Sequence, residues 1–387
     1  MKSFRRIFLQ QRKAVPSVLK NCKNRSILCI IKKGRIANLT QYGTERMLVS
    51  KKTLRMLELL KTRLKPGMKA LIALHDNPDP DCMAAALCMK KIFEISYGVS
   101  SVMACGGILG RTENRAMAEL CGITLQSASS VRISDFDFLL TVDSQPGAGN
   151  TFVTREAAVD MVLDHHPSQP ATRRVPMVDI RTSYGASTTL ALEYLLAHRL
   201  EPDRREATAL FYALKSETQD LGRESCPADR RAYFYLFRRI DFKLLYGIVN
   251  AKLSRNYFRT LFKGLENARI HNDVLISSLG ELEAPDHVSE SADWLLRLKD
   301  IKWTLLTGVW RDTAYVSIRT SEREANAGGV VQQLVAGLGS GGGHEMMAGA
   351  QIDLKTAALA YEALFEELQQ RFLKIMRKRS PGADLLK

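Results

Sequence analysis

Between positions 75 and 81 the chain reads His75-Asp76-Asn77-Pro78-Asp79-Pro80-Asp81, which sets one imidazole and alternating carboxylates on a short loop. Aimed at a common centre, a histidine nitrogen and several carboxylate oxygens form the donor set of a hard divalent cation. An aspartate ahead of a helix also serves as an N-cap, a role open to Asp79 or Asp81. Capping does not need both of them together with His75. Two more apolar runs end in the same way: residues 136–142 lead into Asp143, and residues 159–163 into Asp164-His165-His166-Pro167. One acid after an apolar run is ordinary turn chemistry. Three runs that each end in ligand-type residues are hard to assign to turns alone.

Such residues meet only if the fold brings the ends of those runs together. From Met68 onward, short runs rich in β-branched residues alternate with stretches of helical periodicity. Strands are predicted over 69–75, 100–104, 137–143, 159–164 and 175–180, with helices over 82–96, 114–121, 187–198, 204–217 and 227–239. This alternation predicts an α/β fold with a doubly wound parallel sheet, whose strand carboxyl ends gather in one crevice. Residues 226–265 are charged and lack strand signals, so they read as a helical connector to a smaller α/β domain with a mixed sheet. There, strands are predicted over 273–279, 303–309, 313–319 and 348–354, with helices over 287–298, 327–337 and 356–372. The domain plan is a basic N-terminal extension (1–50), the catalytic domain (51–225), the connector (226–265), the second domain (266–376) and a tail expected to fray (377–387).

A length of 387 residues with 45% hydrophobic and 25% charged residues excludes disordered, collagenous and disulfide-framework chains. The net charge of +15 is uneven. Residues 1–50 hold 12 basic residues against one acid, Glu45. That arm fits a solvated extension, a transit sequence or a phosphate-binding contact to nucleic acid. No run is long and apolar enough to span a membrane, and the seven scattered cysteines are expected to be reduced thiols of a cytoplasmic protein. The Gly106-Gly107 turn lacks the spacing of a dinucleotide-cofactor loop, and no phosphate-loop lysine motif is present.

In order and spacing these motifs resemble the DHH family of phosphoesterases, named for the triplet that here is Asp164-His165-His166. His75-x-x-x-Asp79-x-Asp81 matches the first family motif, Asp143 the second, the triplet the third and Ser216-Glu217-Thr218 the fourth. Gly341-Gly342-Gly343-His344, followed by Ala348-Gly349, is similar to the glycine loop of the family's associated C-terminal domain, and Ser317-Ile318-Arg319 to its arginine element. The resemblance implies one metal on His75, Asp79 and Asp143, and a second on Asp81, Asp143, His165 and the fourth-motif acid. Two manganese ions are the expected cofactors, with magnesium as the alternative. Asp164 is expected to orient a ligand histidine, and His166 to touch the phosphate. The family has aspartate where Glu217 stands, which makes Asp220 a rival ligand. Arg319, Gly341, Gly342, Gly343 and His344 are expected to grip a terminal phosphate, with Arg111 and Asn114 near the substrate. The implied activity is hydrolysis of short oligoribonucleotides or linear dinucleotides to mononucleotides, together with dephosphorylation of 3′,5′-bisphosphate adenosine. Alternatives are an exonuclease on longer strands and a nucleotide or RNA sensor with an impaired metal site. A second copy of the chain is a candidate partner.

Overall fold

The computed structural model describes residues 49–387 except 344, 379, 380 and 387. The extension up to residue 48 and His344 therefore lie outside the described residues. Helix α1 (Lys51–Arg63) comes first and buries Met56, Leu57 and Leu60. It is followed by β1 (Lys69–Ala73), α2 (Pro80–Tyr97), β2 (Ser100–Cys105), α3 (Thr112–Cys121), β3 (Gln126–Ser127) and β4 (Phe138–Val142). Then come β5 (Met161–Asp164), β6 (Met177–Ile180), α4 (Ser187–Ala197) and α5 (Arg204–Glu217).

The six strands form one sheet in the order β3-β2-β1-β4-β5-β6. Every neighbouring pair is parallel. Leu71, Ile72, Leu140, Val162 and Leu163 are buried, as strands covered on both faces require. The order reverses between β1 and β4, and in an open sheet of this kind a crevice opens there, beyond the strand carboxyl ends.

The connector comprises α6 (Pro227–Phe237), α7 (Phe242–Val249) and α8 (Arg255–Glu266). The helix predicted to run to residue 239 stops at 237. Asp241 then caps a new one by accepting from the Lys243 and Leu244 amides.

The second domain contains β7 (Arg269–His271), β8 (Val274–Glu281), α9 (Asp286–Leu295), β9 (Trp303–Trp310), β10 (Thr313–Thr320) and α10 (Ala327–Leu334). It continues with β11 (Ser340–Gly343), β12 (Met347–Asp353), α11 (Leu354–Ala357), α12 (Tyr361–Ile375) and β13 (Ala383–Asp384). Its sheet runs β11-β12-β10-β9-β8-β7-β13 and is mixed, with β8 and β9 parallel and the other pairs antiparallel. Strand periodicity builds two cores. Val274 and Ile276 pack toward α10 and α12 on one face, whereas Leu275 and Leu279 pack toward α9 on the other.

Three expectations are corrected here. The helix predicted over 356–372 breaks in two at Ala358, which takes a left-handed φ of 52°. The tail does not fray at 383–384, because β13 pairs with β7 and Asp384 meets Arg269. The glycine loop is edge strand β11, paired with β12 from Gly341↔Ala350 to Gly343↔Ala348. A side chain at Gly343 would collide with the backbone of Met347 and Ala348, so glycine is what lets the strands close up. No described helix is long and apolar enough to cross a membrane.

Candidate metal centre and substrate cleft

The carboxyl ends of β1, β4 and β5 deliver His75, Asp143 and the Asp164-His165-His166 triplet into the crevice at the order reversal. The His75 Nε2 atom stands 3.7 Å from Asp79 Oδ1 and 3.8 Å from Asp143 Oδ2. His165 Nε2 stands 3.5 Å from Asp143 Oδ1 and 3.9 Å from Asp81 Oδ2. These gaps are too long for hydrogen bonds. Donor atoms of one cation keep such spacing. Asp143 lies between the two histidines, in a left-handed backbone conformation with φ 53° that turns the chain just after β4.

Asp79 serves both roles weighed for it: it caps α2 by accepting from the Cys82 amide and faces His75. Asp81 sits in the first turn of α2 and is buried. Its two oxygens accept from the Ser187 and Thr188 amides at 2.7 and 2.8 Å, at the start of α4. Ser187 Oγ donates to Asp143 Oδ1 at 2.8 Å. The α4 N-terminus thus offsets part of the negative charge that two buried aspartates concentrate.

Burial, and then the neighbouring Asp143 carboxylate, push the Asp81 pKa well up; burial and Asp79 also raise that of Glu217. The site holds more carboxylate than can stay ionised without a cation. A crowded set of carboxylates and imidazoles fits a hard or borderline divalent ion. Cys82 lies within reach of His75 and Asp143, but burial holds its thiol up to about 12 and it donates to the Val142 carbonyl. A protonated thiol is a poor ligand for such an ion.

Asp164, expected to orient a ligand histidine, holds His166 and neither His75 nor His165. Its Oδ1 accepts from the His166 amide at 3.0 Å and pairs with His166 Nδ1 at 2.8 Å, while Gln145 donates to its other oxygen. The His165 ring is held instead by the Tyr184 carbonyl, 3.2 Å from Nδ1. Although burial opposes a charged His166, Asp164 and then Asp143 lift its pKa to about 10. Asp164 thus favours the charged form of His166, which stands at the mouth of the site.

The fourth motif lies at the end of α5. Glu217 shares the electrostatic environment of Asp79, His165 and Asp143. Asp220 does not: it is exposed, bonded to Lys215 at 2.7 Å and to the Tyr233 hydroxyl at 3.0 Å. Its backbone is left-handed, as are those of Gln219 and Leu221, because the helix has already ended and the chain turns outward.

The substrate-side residues are less exposed than the sequence reading supposed. Asn114 is buried and donates to the Pro78 carbonyl, so it buttresses the loop that carries Asp79 and Asp81. Arg319 is buried, donating to Asp293 Oδ1 at 2.7 Å and to Ser317 Oγ and the Ile318 and Ala348 carbonyls. Arg111 reaches from the catalytic domain to α9, donating to Ser289 at 2.9 Å and lying 3.7 Å from both Glu290 and Asp293. A side chain at Gly110 would fall on Asp286 of the same helix. Of the three β11 glycines Gly341, Gly342 and Gly343, the first and last pack against β12, and Gly342 has open space where a side chain would stand. Asp286, Glu290 and Asp293 were missed by sequence reasoning. Their spacing along one helical face was readable, but the arginines they meet lie far away in the chain.

Residues 69–214 match the DHH family, N-terminal domain, and residues 271–378 match the DHHA1 domain. The chain belongs to the DHH family. Its matched regions contain every motif residue named above except the fourth motif, Ser216-Glu217-Thr218, and its rival Asp220. An uncharacterised protein of Methanocaldococcus jannaschii is 31% identical over 301 residues, covering 78% of this chain and 61% of that protein. The chain thus spans about three-fifths of the length of this curated relative. An exopolyphosphatase-related protein from Bacteroides fragilis shares the fold with a TM-score of 0.65 at 12% identity, over 85% of this chain and 98% of that one. RecJ from Thermus thermophilus, in complex with Mn2+, superposes with a TM-score of 0.50 at 15% identity, over 86% of this chain and 55% of that one.

Proposed function

We propose that this DHH-family chain is a metal-dependent phosphodiesterase that hydrolyses short oligoribonucleotides or linear dinucleotides to mononucleotides, with 3′,5′-bisphosphate adenosine as a further substrate. The observation that carries the reading is the convergence of His75, Asp79, Asp81, Asp143 and His165 at the order reversal of the sheet, with Arg111 of the same domain and Arg319 of the second domain both meeting Asp293. His75, Asp79 and Asp143 would hold one divalent cation and Asp81, Asp143, His165 and Glu217 a second. The Mn2+ in the RecJ relative makes manganese the first metal to try. Bound there, two cations would activate a water and offset charge on the phosphoryl oxygens.

The protein's own residues supply the rest. His166, charged and steadied by Asp164 and Gln145, donates to a phosphoryl oxygen of the scissile group. Arg319 takes the terminal phosphate in a bidentate grip once Asp293 releases it. The Gly342 amide region lies open on the edge strand beside it. A phosphate gripped at a set distance from the reacting centre favours short substrates. Glu217 reaches the site in place of the usual aspartate, which favours an enzyme over a sensor with an impaired centre.

The test is product analysis with Mn2+ on labelled RNA of graded length, from a dinucleotide to a long strand, with 3′,5′-bisphosphate adenosine alongside. Conversion of the shortest strands to mononucleotides with long strands nearly untouched is expected. Processive loss of the long strand would replace this reading with an exonuclease. Turnover retained by Asp143→Asn would remove the shared-ligand scheme.

A further inference from the structure

Residues 227–263 hold nine of the chain's aromatic side chains and nine lysines or arginines, but only two acids. Both acids are spent inside the fold. Asp229 is buried, accepting from the Gly185 and Cys226 amides and from Thr189, and Asp241 caps α7. None of the nine cations forms an ion pair among the described residues. Tyr235 and Tyr257 are buried, but four of the rings face outward: Phe234, Phe237, Phe242 and Tyr246 are 61%, 44%, 59% and 69% exposed.

These rings are not loose. Phe234 meets Tyr233 at 5.7 Å, Tyr233 meets buried Phe211 at 4.7 Å, Phe211 meets Phe237 at 5.7 Å and Phe237 meets Phe242 at 5.5 Å between centroids. The chain of rings is anchored to α5 through Phe211. Arg239 is stacked on Tyr235 at 3.7 Å. The connector packs through α6 on α5 and through α7 on α3. Those two helices carry Glu217 and Arg111 at their site ends.

We infer that this connector face, centred on Phe234, Phe237, Phe242 and Tyr246 with Arg230, Arg238 and Lys243 on the same exposed surface, is a binding track for single-stranded nucleic acid. Exposed rings offer stacking to bases of any identity, and interspersed cations follow the phosphates. A second copy of the chain is a poor occupant, since it would set the same cations against one another. An anionic lipid surface takes basic and aromatic residues too, but as helices with a polar face and a separate apolar face. Here rings and cations share one exposed face on helices of 11 and eight residues.

The inference goes beyond the hydrolytic reading and is tested without turnover. Binding of a fluorescein-labelled single strand of about 20 nucleotides, long enough to span a typical strand-binding site, is followed by anisotropy with full-length protein in EDTA. Phe237→Ala and Phe242→Ala should each weaken binding roughly fivefold or more. The pair Arg238→Glu and Lys243→Glu should weaken it and flatten the salt dependence by roughly 0.7 per lost phosphate contact. Hydrolysis of a dinucleotide with Mn2+ should be unchanged in all of them. No binding by the wild type, or unchanged affinity in both sets of variants, overturns the inference. So does loss of sedimentation with anionic phosphatidylglycerol vesicles while strand binding persists, or a concentration-dependent dimer that the ring variants abolish. Absence of dinucleotide hydrolysis in the wild type would defeat the proposed activity and leave the binding result standing.

Discussion

Glu290 gives the sharpest handle on how the two domains meet. It lies on α9 facing Arg111, with one carboxylate oxygen buried and lacking a hydrogen-bond partner. Burial lifts its pKa to about 7, Arg111 pulling the other way and Glu113 and Asp286 adding to the lift. The folded protein therefore keeps a proton on Glu290 that the unfolded chain has lost. The sign follows from linkage: a carboxyl raised in the folded state costs stability as pH rises from its ordinary value of 4.5 to about 7. At 1.36 kcal/mol per pH unit, the cost accumulated between about pH 5 and pH 8 is about 2.5 kcal/mol. Glu290→Gln keeps the shape and an acceptor oxygen but cannot ionise. Urea denaturation of wild type and variant across this range should give free energies that diverge by about 2.5 kcal/mol, the variant gaining toward pH 8. Groups that titrate elsewhere cancel in the difference. Two parallel curves, with the same gap at both ends, would mean that Glu290 is already ionised at pH 5 and that α9 does not seal it against Arg111.

Glu217→Gln should weaken manganese binding at least tenfold, while Asp220→Asn leaves it within error, as read by calorimetric titration; the reverse order would move the ligand to Asp220. Arg319→Ala should raise KM for a short oligonucleotide by roughly 10-fold or more with a smaller change in kcat, whereas Asp293→Asn should lower KM by releasing Arg319; an unchanged KM in both would take Arg319 out of substrate binding. Arg181 donates to Asp179, Glu193, Thr53 and Tyr184 inside the catalytic domain. Arg181→Met removes the guanidinium between two buried carboxylates and leaves Asp179 to Lys52 and Tyr194 and Glu193 to Thr53 and Tyr184, so chemical denaturation should report a loss of about 3 kcal/mol, and a loss under about 1 kcal/mol would imply that those partners suffice.

The chemistry-bearing residues of the catalytic domain were legible because β1, β4 and β5 are buried on both faces and read as unbroken apolar runs. Whatever polar residue ends such a run must stand at the sheet's edge, so His75, Asp143 and Asp164 announce their own positions. Local signals also sufficed for α5, whose Asp203 and Glu206 form a capping box at its start. Contacts between distant segments were not legible. Nothing in the pattern around Ser187 says that its amide and hydroxyl will meet Asp81 and Asp143, and nothing near Asp293 says that it will hold Arg319. The glycines of β11 misled for a physical reason: their strand propensity is poor, and only pairing with β12, available after folding, overrides it. Asp164 was expected to orient a ligand histidine, but sequence alone cannot show which ring turns back toward it, and the ring that does is His166.

Helix α1 has a practical consequence for anyone who cuts this chain. The DHH match begins at residue 69, which invites a fragment starting there. Thr53 of α1, however, donates to Glu193 and accepts from Arg181, and Lys52 reaches Asp179. Met56, Leu57 and Leu60 cover apolar surface that would otherwise face water. A fragment lacking residues 51–63 would expose that surface and lose a hydrogen-bond partner from the charged cluster beneath it. Such a fragment should precipitate or need detergent, and its inactivity would say nothing about the metal centre. Any fragment worth expressing keeps residues 51–63.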